Sequence, residues 1–260
     1  LTATEGDDRV SAQSVTGNNR IYGLGGDDTL IGSEGDTLDG GAGDDLFSGV
    51  EAGMNLVGGT GYDRVTFNFA GDTRNGVFNT RTGEGTFWSG IEEIEGTFGD
   101  GDDDVTVGAQ REYLRGGGGT DKLTVDFSLP RADGVVIERV RLDLDDNQND
   151  DQLFIGGGWT TGGRFELFES YDLTATEGDD RVSAQSVTGN SRIYGLGGND
   201  TLLGGSGTDT LVAGTGDDTM SGRDGADVFA LGLRGGSNVI TDFEDGVDRL
   251  DLTAFSRADA

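Results

Sequence analysis

Cysteine and histidine are absent from the chain, which also has a single proline and a single lysine, Lys122. Without cysteine it forms no disulfide and offers no thiolate, and without histidine it lacks the commonest general base and transition-metal ligand. No apolar run approaches the length of a membrane span. Metalloprotease, nucleophile-elbow and phosphate-loop motifs are missing too. We therefore expect this region not to be an enzyme.

Acidic residues and glycine are abundant instead. The 260 residues include 50 glycines, and 49 acidic against 18 basic residues give a net charge of −31. Such a chain repels nucleic acid and anionic membranes. Its hydrophobic content of 33% is low, and low hydrophobicity with high charge is typical of chains that stay disordered until a counter-ion neutralises them. Oxygen ligands without sulfur or imidazole favour several calcium ions as the cofactor.

Residues 195–230 consist of four consecutive nine-residue units, GLGGNDTLL, GGSGTDTLV, AGTGDDTMS and GRDGADVFA. Each unit has Gly at position 4, Asp at position 6 and an apolar residue at position 8. A unit this short cannot bury its apolar residue alone, so neighbouring units must stack into a solenoid. The glycines permit a tight turn. The alternation after the Asp predicts a short strand that points position 8 inward.

This pattern resembles the calcium-binding nonapeptide G-G-x-G-x-D-x-U-x of the RTX (repeats-in-toxin) family. The resemblance implies an all-β fold, a right-handed parallel β-roll or β-helix solenoid with structural calcium between its turns. It also implies secretion by a type I system, and two units per turn, so that units n and n+2 lie above one another. Residues 238–252, NVITDFEDGVDRLDL, resemble the closing segment of the family and predict two capping strands.

The carboxylates at position 6 are the candidate calcium ligands. They are Asp8, Asp28, Asp45, Asp63, Asp103, Asp121, Asp180, Asp200, Asp209, Asp218 and Asp227. The stacking rule places the first four on one edge and leaves the opposite edge, with Asn19, Asp36 and Met54, poor in ligands. The later array restarts through Asp180 and Asn190, and we expect both edges of 195–230 to hold calcium. The acids at position 5 are expected to face solvent.

A near-identical duplication relates residues 1–30 to residues 173–202, which differ at two of thirty positions, Asn19/Ser191 and Asp27/Asn199. We expect the chain to be a window of a longer tandem array. The predicted blocks are 1–74, a first repeat block; 75–130, linking strands with a short second block; 131–172, further linking strands; 173–230, a third block; and 231–260, a capping segment.

Two further features have alternative interpretations. Residues 143–151 are acidic like an EF-hand loop, but the sixth position is not Gly and Phe154 stands at the twelfth, which favours a solvated loop. Trp88 and Trp159 could stack on sugars or pack over the ends of coils. A glycan or another extracellular surface is therefore a candidate partner besides calcium.

These features predict a secreted or cell-surface module that folds on binding extracellular calcium. It would be a structural or adhesive part of a larger type I-secreted protein. The alternatives are a calcium-dependent, non-catalytic appendage of a secreted enzyme, such as a protease or polysaccharide epimerase, and a carbohydrate-binding module.

Overall fold

The computed structural model describes residues 1–51, 54–70, 72–74, 77–79, 87–107, 111–126, 140–143, 152–155, 160–166, 169–185, 187–232 and 236–253. Contacts divide the chain into two units, of which the first contains Leu1–Asp121 and the second contains the strands from Lys122 onward. In these ranges the regular structure is β-strand. No helix in this part of the chain is long and apolar enough to cross a membrane.

The first unit is built from parallel strands. They are β1 Arg9–Ser11, β2 Arg20–Gly25, β3 Thr29–Ile31, β4 Thr37–Ala42, β5 Leu46–Ser48, β6 Asn55–Thr60, β7 Arg64–Asn68, β8 Val77–Asn79, β9 Phe87–Ser89, β10 Glu93–Thr97, β11 Asp104–Val107 and β12 Arg111–Arg115. One sheet has the order β1-β3-β5-β7-β10-β12, a second has the order β2-β4-β6-β9, and β8 pairs with β11. Because β1 to β7 alternate between the two sheets, each turn of the chain there takes two strands.

The second unit repeats this arrangement. Its strands are β13 Lys122–Asp126, β14 Val140–Asp143, β15 Gln152–Ile155, β16 Thr160–Glu166, β17 Ser170–Thr174, β18 Arg181–Ser183, β19 Arg192–Tyr194, β20 Thr201–Leu203, β21 Thr210–Val212, β22 Thr219–Ser221, β23 Val228–Ala230, β24 Val239–Ile240 and β25 Arg249–Asp251. Parallel pairing gives the orders β13-β17-β19-β21-β23-β25 and β14-β18-β20-β22-β24. The expected all-β parallel β-roll is confirmed.

Apolar residues at position 8 stack in columns inside each unit. In the first unit Leu30 lies opposite Phe47, and Phe47 lies opposite Val65, all three fully buried. In the second unit Leu211 is fully buried opposite Phe229. Except at Val65, the strands are three residues long at these places, and the period of two places the middle residue inside.

Many of the turns have a left-handed backbone at positions 2 and 4 of the unit. Gly216, at position 4, has φ +128°, and a Cβ there would lie 1.8 Å from the carbonyl oxygen of Gly198 in the stacked coil. At position 2 the chain has Leu24, Leu196 and Arg223, with φ values of 81°, 70° and 71°. A side chain in this conformation strains the backbone. The stacking of the coils holds these residues there despite that cost.

The segments between the repeat blocks differ in how they join the stack. Strands β9 and β10 pair in parallel with β6 and β7, so they continue the stack of the first unit. Strands β14, β15 and β16 instead form an antiparallel arrangement in the second unit. Strands β24 and β25 appear in the segment predicted to close the roll and add one strand to each sheet. The block boundaries drawn from the sequence stay predictions.

Burial in the apolar column predicts how two leucines differ in their contribution to stability. Leu211 is fully buried, whereas Leu250, in the same column two coils later, is 42% exposed. Leu211→Ala should lower the free energy of unfolding by about 2–5 kcal/mol because it leaves a cavity. Leu250→Ala should lower it by about 1 kcal/mol or less. Urea unfolding in excess calcium measures both, and equal losses would contradict the assignment of the column.

Candidate calcium sites

Carboxylates that precede successive strands are connected by hydrogen bonds along one edge of the first unit. The backbone N–H of Asp8 donates to Oδ1 of Asp28 over 2.8 Å, and that of Asp28 donates to Oδ1 of Asp45 over 2.9 Å. The N–H of Asp45 donates to Oδ1 of Asp63 over 2.9 Å. We call such a series an inner ladder. The four side chains share one edge, as the stacking of units n and n+2 predicts.

The second unit has an inner ladder on both edges of its repeats. On one edge the N–H of Asp180 donates to Oδ1 of Asp200, and that of Asp200 donates to Oδ1 of Asp218, each over 2.9 Å. On the other edge the N–H of Asp209 donates to Oδ1 of Asp227 over 2.8 Å. Both edges of this block therefore present stacked carboxylates.

Ten of the eleven predicted ligands are buried. Asp8 lies in the first coil and is partly exposed. The buried ones are Asp28, Asp45, Asp63, Asp103, Asp121, Asp180, Asp200, Asp209, Asp218 and Asp227. The N–H of Asp103 donates to Oδ1 of Asp121 over 2.9 Å, so the predicted pairing in the short second block is also present. A buried charge needs a partner of opposite sign.

Three ladder members were missed from the sequence. The N–H of Asp63 donates to Oε2 of Glu92 over 2.8 Å, the N–H of Asp218 to Oδ1 of Asn238 over 2.9 Å, and the N–H of Asp227 to Oδ1 of Asp248 over 2.9 Å. Each acceptor lies immediately before a strand, as the repeat carboxylates do. A polar residue immediately before a strand was the available sequence signal for these members. The nonapeptide pattern is lost around all three.

The interpretation of Asn190 as the repeat residue was wrong. Ser191 takes that place: it is buried, and its N–H donates to Oδ1 of Asp209 over 2.7 Å. Asn190 lies one residue earlier and accepts the N–H of Thr208 over 2.9 Å at the surface. The equivalent residue in the first copy is Asn19, whose N–H donates to Oδ1 of Asp36. Because the second copy has serine at this place, the neighbouring Asn190 was taken for the repeat residue.

The opposite edge of the first unit has few carboxylates, as expected. The N–H of Asn19 donates to Oδ1 of Asp36 over 2.7 Å, and Oδ2 of Asp36 accepts the N–H of Ser33 over 2.9 Å. Met54 is the buried residue farther along this edge, where its sulfur accepts the N–H of Glu51. A thioether is a poor ligand for a hard cation.

The exposed acids at position 5 form a second series of hydrogen bonds, the outer ladder, in which donors and acceptors are reversed between the coils. Oδ1 of Asp7 accepts the N–H of Asp27 over 2.9 Å, and Oδ1 of Asp27 accepts the N–H of Asp44 over 2.8 Å. Here the later coil donates, whereas in the inner ladder the earlier coil donates. In the second unit Asn199 replaces Asp27, and its Oδ1 accepts the N–H of Asp217 over 2.8 Å. Positions 27 and 199 thus share the acceptor oxygen, but only Asp27 carries a charge.

One oxygen of many inner-ladder carboxylates has no partner in the protein. The carboxylates whose Oδ2 is buried without a hydrogen bond include Asp28, Asp45, Asp63, Asp200, Asp218 and Asp227. Burial raises the pKa of Asp200 to about 8 and that of Asp63 to about 7. It likewise raises the pKa of Asp45 and of Asp227 to about 6. Neighbouring carboxylates add to this effect, so the ladder favours a proton or a cation at these oxygens.

Backbone carbonyls lie beside the unpaired carboxylate oxygens. Oδ2 of Asp28 and the carbonyl oxygen of Gly40 border the same space next to Gly23, where a Cβ would be 2.3 Å from each. In the part of the chain that the structure describes, no three Asp or Glu side chains surround one point. An ion held here would have Oδ2 of Asp28 and the carbonyl oxygen of Gly40 as neighbours and would need further oxygens to complete its shell. Oxygen-only shells of this kind suit calcium.

Fold and site together define a class: a parallel β-roll repeat protein with candidate cation sites between stacked turns. The family model described as the RTX calcium-binding nonapeptide repeat (4 copies) matches the chain at residues 2–36, 13–46, 36–49, 174–211 and 203–233. Residues 2–49 and 174–233 are therefore similar to RTX calcium-binding repeats. No curated protein matched the chain. The matched ranges leave out residues 50–173, although β-strands of the first unit continue the stack there.

The other candidate sites gain no support from the described residues. Asp143 ends β14, and residues 144–151 of the EF-hand-like run lie outside the described ranges. Trp159 lies outside them as well. The backbone of Trp88 pairs with Leu56 in β9, but its side chain is not described.

The raised pKa values predict how the calcium-free fold depends on pH. In the unfolded chain these carboxylates release their protons near pH 3.9, whereas in the fold Asp45, Asp63, Asp200 and Asp227 hold them up to about pH 6–8. Calcium-free folded protein should therefore lose stability as pH rises from about 4 to 8.

Far-UV circular dichroism of calcium-free protein between pH 5 and 8.5 checks this dependence. More β-structure at pH 5 than at pH 8 is expected. In saturating calcium the trend should reverse because protons then compete with the ion. A β-content that rises with pH in calcium-free protein would contradict the burial of the carboxylates.

The outer ladder predicts a difference between two substitutions of Asp27. Asp27→Asn copies the residue at 199 and keeps an acceptor for the N–H of Asp44. It should change the free energy of unfolding by less than about 0.5 kcal/mol, whereas Asp27→Ala should lower it by about 1 kcal/mol. Urea unfolding in excess calcium measures both variants. Equal effects would show that the outer ladder contributes charge alone.

Proposed function

We propose that the chain is a structural module of a larger secreted protein, expanded without calcium and folded when several calcium ions bind. The observation that carries this proposal is the set of buried carboxylate oxygens without a protein partner, stacked coil above coil. The proposed ligands are drawn from the eleven position-6 carboxylates predicted from the sequence, above all those whose Oδ2 lacks a protein donor, with backbone carbonyls completing each site. The match to calcium-binding repeats supports the choice of ion.

Calcium binding would supply much of the folding free energy. The chain carries a net charge of −31, and the inner ladders bring carboxylates together in a buried environment. Without a counter-ion, desolvation and repulsion both oppose this arrangement. The unfolded chain does not present a preformed site, so the free energy of ion binding becomes free energy of folding.

The concentration of calcium would then decide where the chain folds. Extracellular calcium modules bind at about 10⁻⁴ to 10⁻³ M. At cytosolic calcium such a module stays expanded, which suits export of an unfolded chain by a type I system. Outside the cell it folds, and we place its function there, in a secreted or surface-attached protein.

The repeated sequence favours a structural or adhesive role over an appendage of an enzyme. Residues 1–30 and 173–202 are almost identical, and each copy forms the same strands of a coil, β1 to β3 in one and β18 to β20 in the other. A chain that lengthens by duplicating whole blocks acts as a spacer. A secreted protease or epimerase with this module as its appendage is the second candidate. A carbohydrate-binding module is a third, and a glycan array would test it.

Removal of calcium tests the proposal directly. In excess chelator at pH 7.5 the far-UV circular dichroism spectrum should be that of a disordered chain, and millimolar calcium should produce a β-sheet spectrum. The hydrodynamic radius should fall in the same titration, because the expanded chain becomes compact.

Magnesium serves as the matched control. It demands a small octahedral shell and gives up water reluctantly, so it should fold the chain poorly at the same concentration. Identical β-content in chelator and in calcium would refute ion-coupled folding. Equal folding by both ions would instead point to simple charge screening.

A further inference from the structure

The first residue of each repeat unit lies beside the space into which the ladder carboxylate points. It precedes that carboxylate by five positions, as Gly195 precedes Asp200 and Ala213 precedes Asp218. These two pairs occupy neighbouring coils of the same inner ladder. They differ at position 1, where one has glycine and the other has alanine.

At glycine, oxygen atoms converge on the space that a side chain would fill. A Cβ on Gly195 would lie 2.4 Å from Oδ2 of Asp200 and 2.4 Å from the carbonyl oxygen of Ala213. A Cβ on Gly40 would lie 2.1 Å from Oδ2 of Asp45 and 2.6 Å from the nearest stacked carbonyl oxygen. We call the space between such a carboxylate and carbonyl an open cage.

Ala213 places a methyl group in the equivalent space. Its N–H donates to the carbonyl of Ala230 over 3.0 Å, just as that of Gly195 donates to Val212 over 2.9 Å, so the two backbones occupy the same register. Ala213 is also fully buried. Oδ2 of Asp218 is buried without a partner like that of Asp200, but a methyl group stands beside it.

The first coil of each duplicated segment is closed in a second way. Ala3 and Ala175 occupy position 1 there. In addition, Oδ2 of Asp8 accepts the N–H and the hydroxyl of Thr4, over 2.7 and 2.6 Å. Asp180 accepts the same two groups from its own turn, over 2.7 and 2.8 Å. Protein donors thus satisfy the oxygen that would otherwise bind an ion.

We propose that the residue at position 1 and the donors of its turn together decide which ladder carboxylates take a calcium ion: glycine opens a cage, whereas alanine or a protein donor to Oδ2 closes it. Open cages contain Gly23, Gly40, Gly58 and Gly195. Closed cages contain Ala3, Ala175 and Ala213, and also Gly204, because the N–H of Gly205 donates to Oδ2 of Asp209 over 2.6 Å there. The proposal rests on the proposed calcium function and gives it a map: Asp8, Asp180, Asp209 and Asp218 take no ion at Oδ2, although their repeats match the family.

Exchanging the two residues tests the map. Calcium bound per chain is counted by isothermal titration calorimetry and by equilibrium dialysis with elemental analysis. Ala213→Gly should add one ion per chain, Gly195→Ala should remove one, and the double exchange should restore the original number. Circular dichroism in saturating calcium verifies that each variant is folded.

Ala213→Gly removes a methyl group and introduces no clash, so it remains informative if Gly195→Ala fails to fold. An unchanged number of ions and unchanged affinity in Ala213→Gly would overturn the proposal. If the unaltered chain bound no calcium at all, the proposed function itself would fail, which is a distinct result.

A second pair of variants tests the closed first coil. Asp8→Asn should leave the number of bound ions unchanged, because Oδ2 of Asp8 is already held by Thr4. Asp28→Asn, one coil later in the same ladder, should remove at least one ion, because Oδ2 of Asp28 has no such donor. Equal losses in the two variants would overturn the assignment of a closed cage to Asp8.

Discussion

The hydrogen bond from a backbone N–H to the carboxylate one coil later is the interaction on which this structure depends. It fixes one oxygen of the side chain and leaves the other buried beside the next turn. Asp45 shows both halves: Oδ1 accepts the N–H of Asp28, and Oδ2 has no partner. A buried carboxylate oxygen without a partner is costly. The fold therefore favours a proton or a cation at these oxygens.

Different positions of each nine-residue unit have different structural roles. Position 8 supplies the apolar column, position 6 the inner ladder and position 5 the outer ladder, while glycines allow the turn. The two ladders run in opposite senses, so each pair of stacked turns is tied by donors from both coils. This arrangement replaces a large hydrophobic core, which a chain with 33% hydrophobic residues cannot build.

Particular residues show how far the sequence could predict the site. Asp28, Asp45 and Asp63 follow a strict local pattern, and their stacking followed from two units per turn. Glu92 did not, because the segment around it has lost the repeat and its partner lies 29 residues away. Asn190 was misplaced by one residue because the second copy has Ser191 where the first has Asn19. The nine-residue pattern therefore predicted the ladders where the repeat is regular, and it failed where the repeat is irregular.

The sequence by itself determined the parallel solenoid and the apolar column, because each depends on a pattern within nine residues. Its oxygen-rich repeats also favour a hard cation as the proposed ligand. The tertiary structure decided which residues complete the ladders and which second oxygens lack a protein donor. It also decided that the methyl group of Ala213 stands where Gly195 leaves space. These properties depend on the residues of the neighbouring coil. A repeat pattern does not give the register between coils of different lengths.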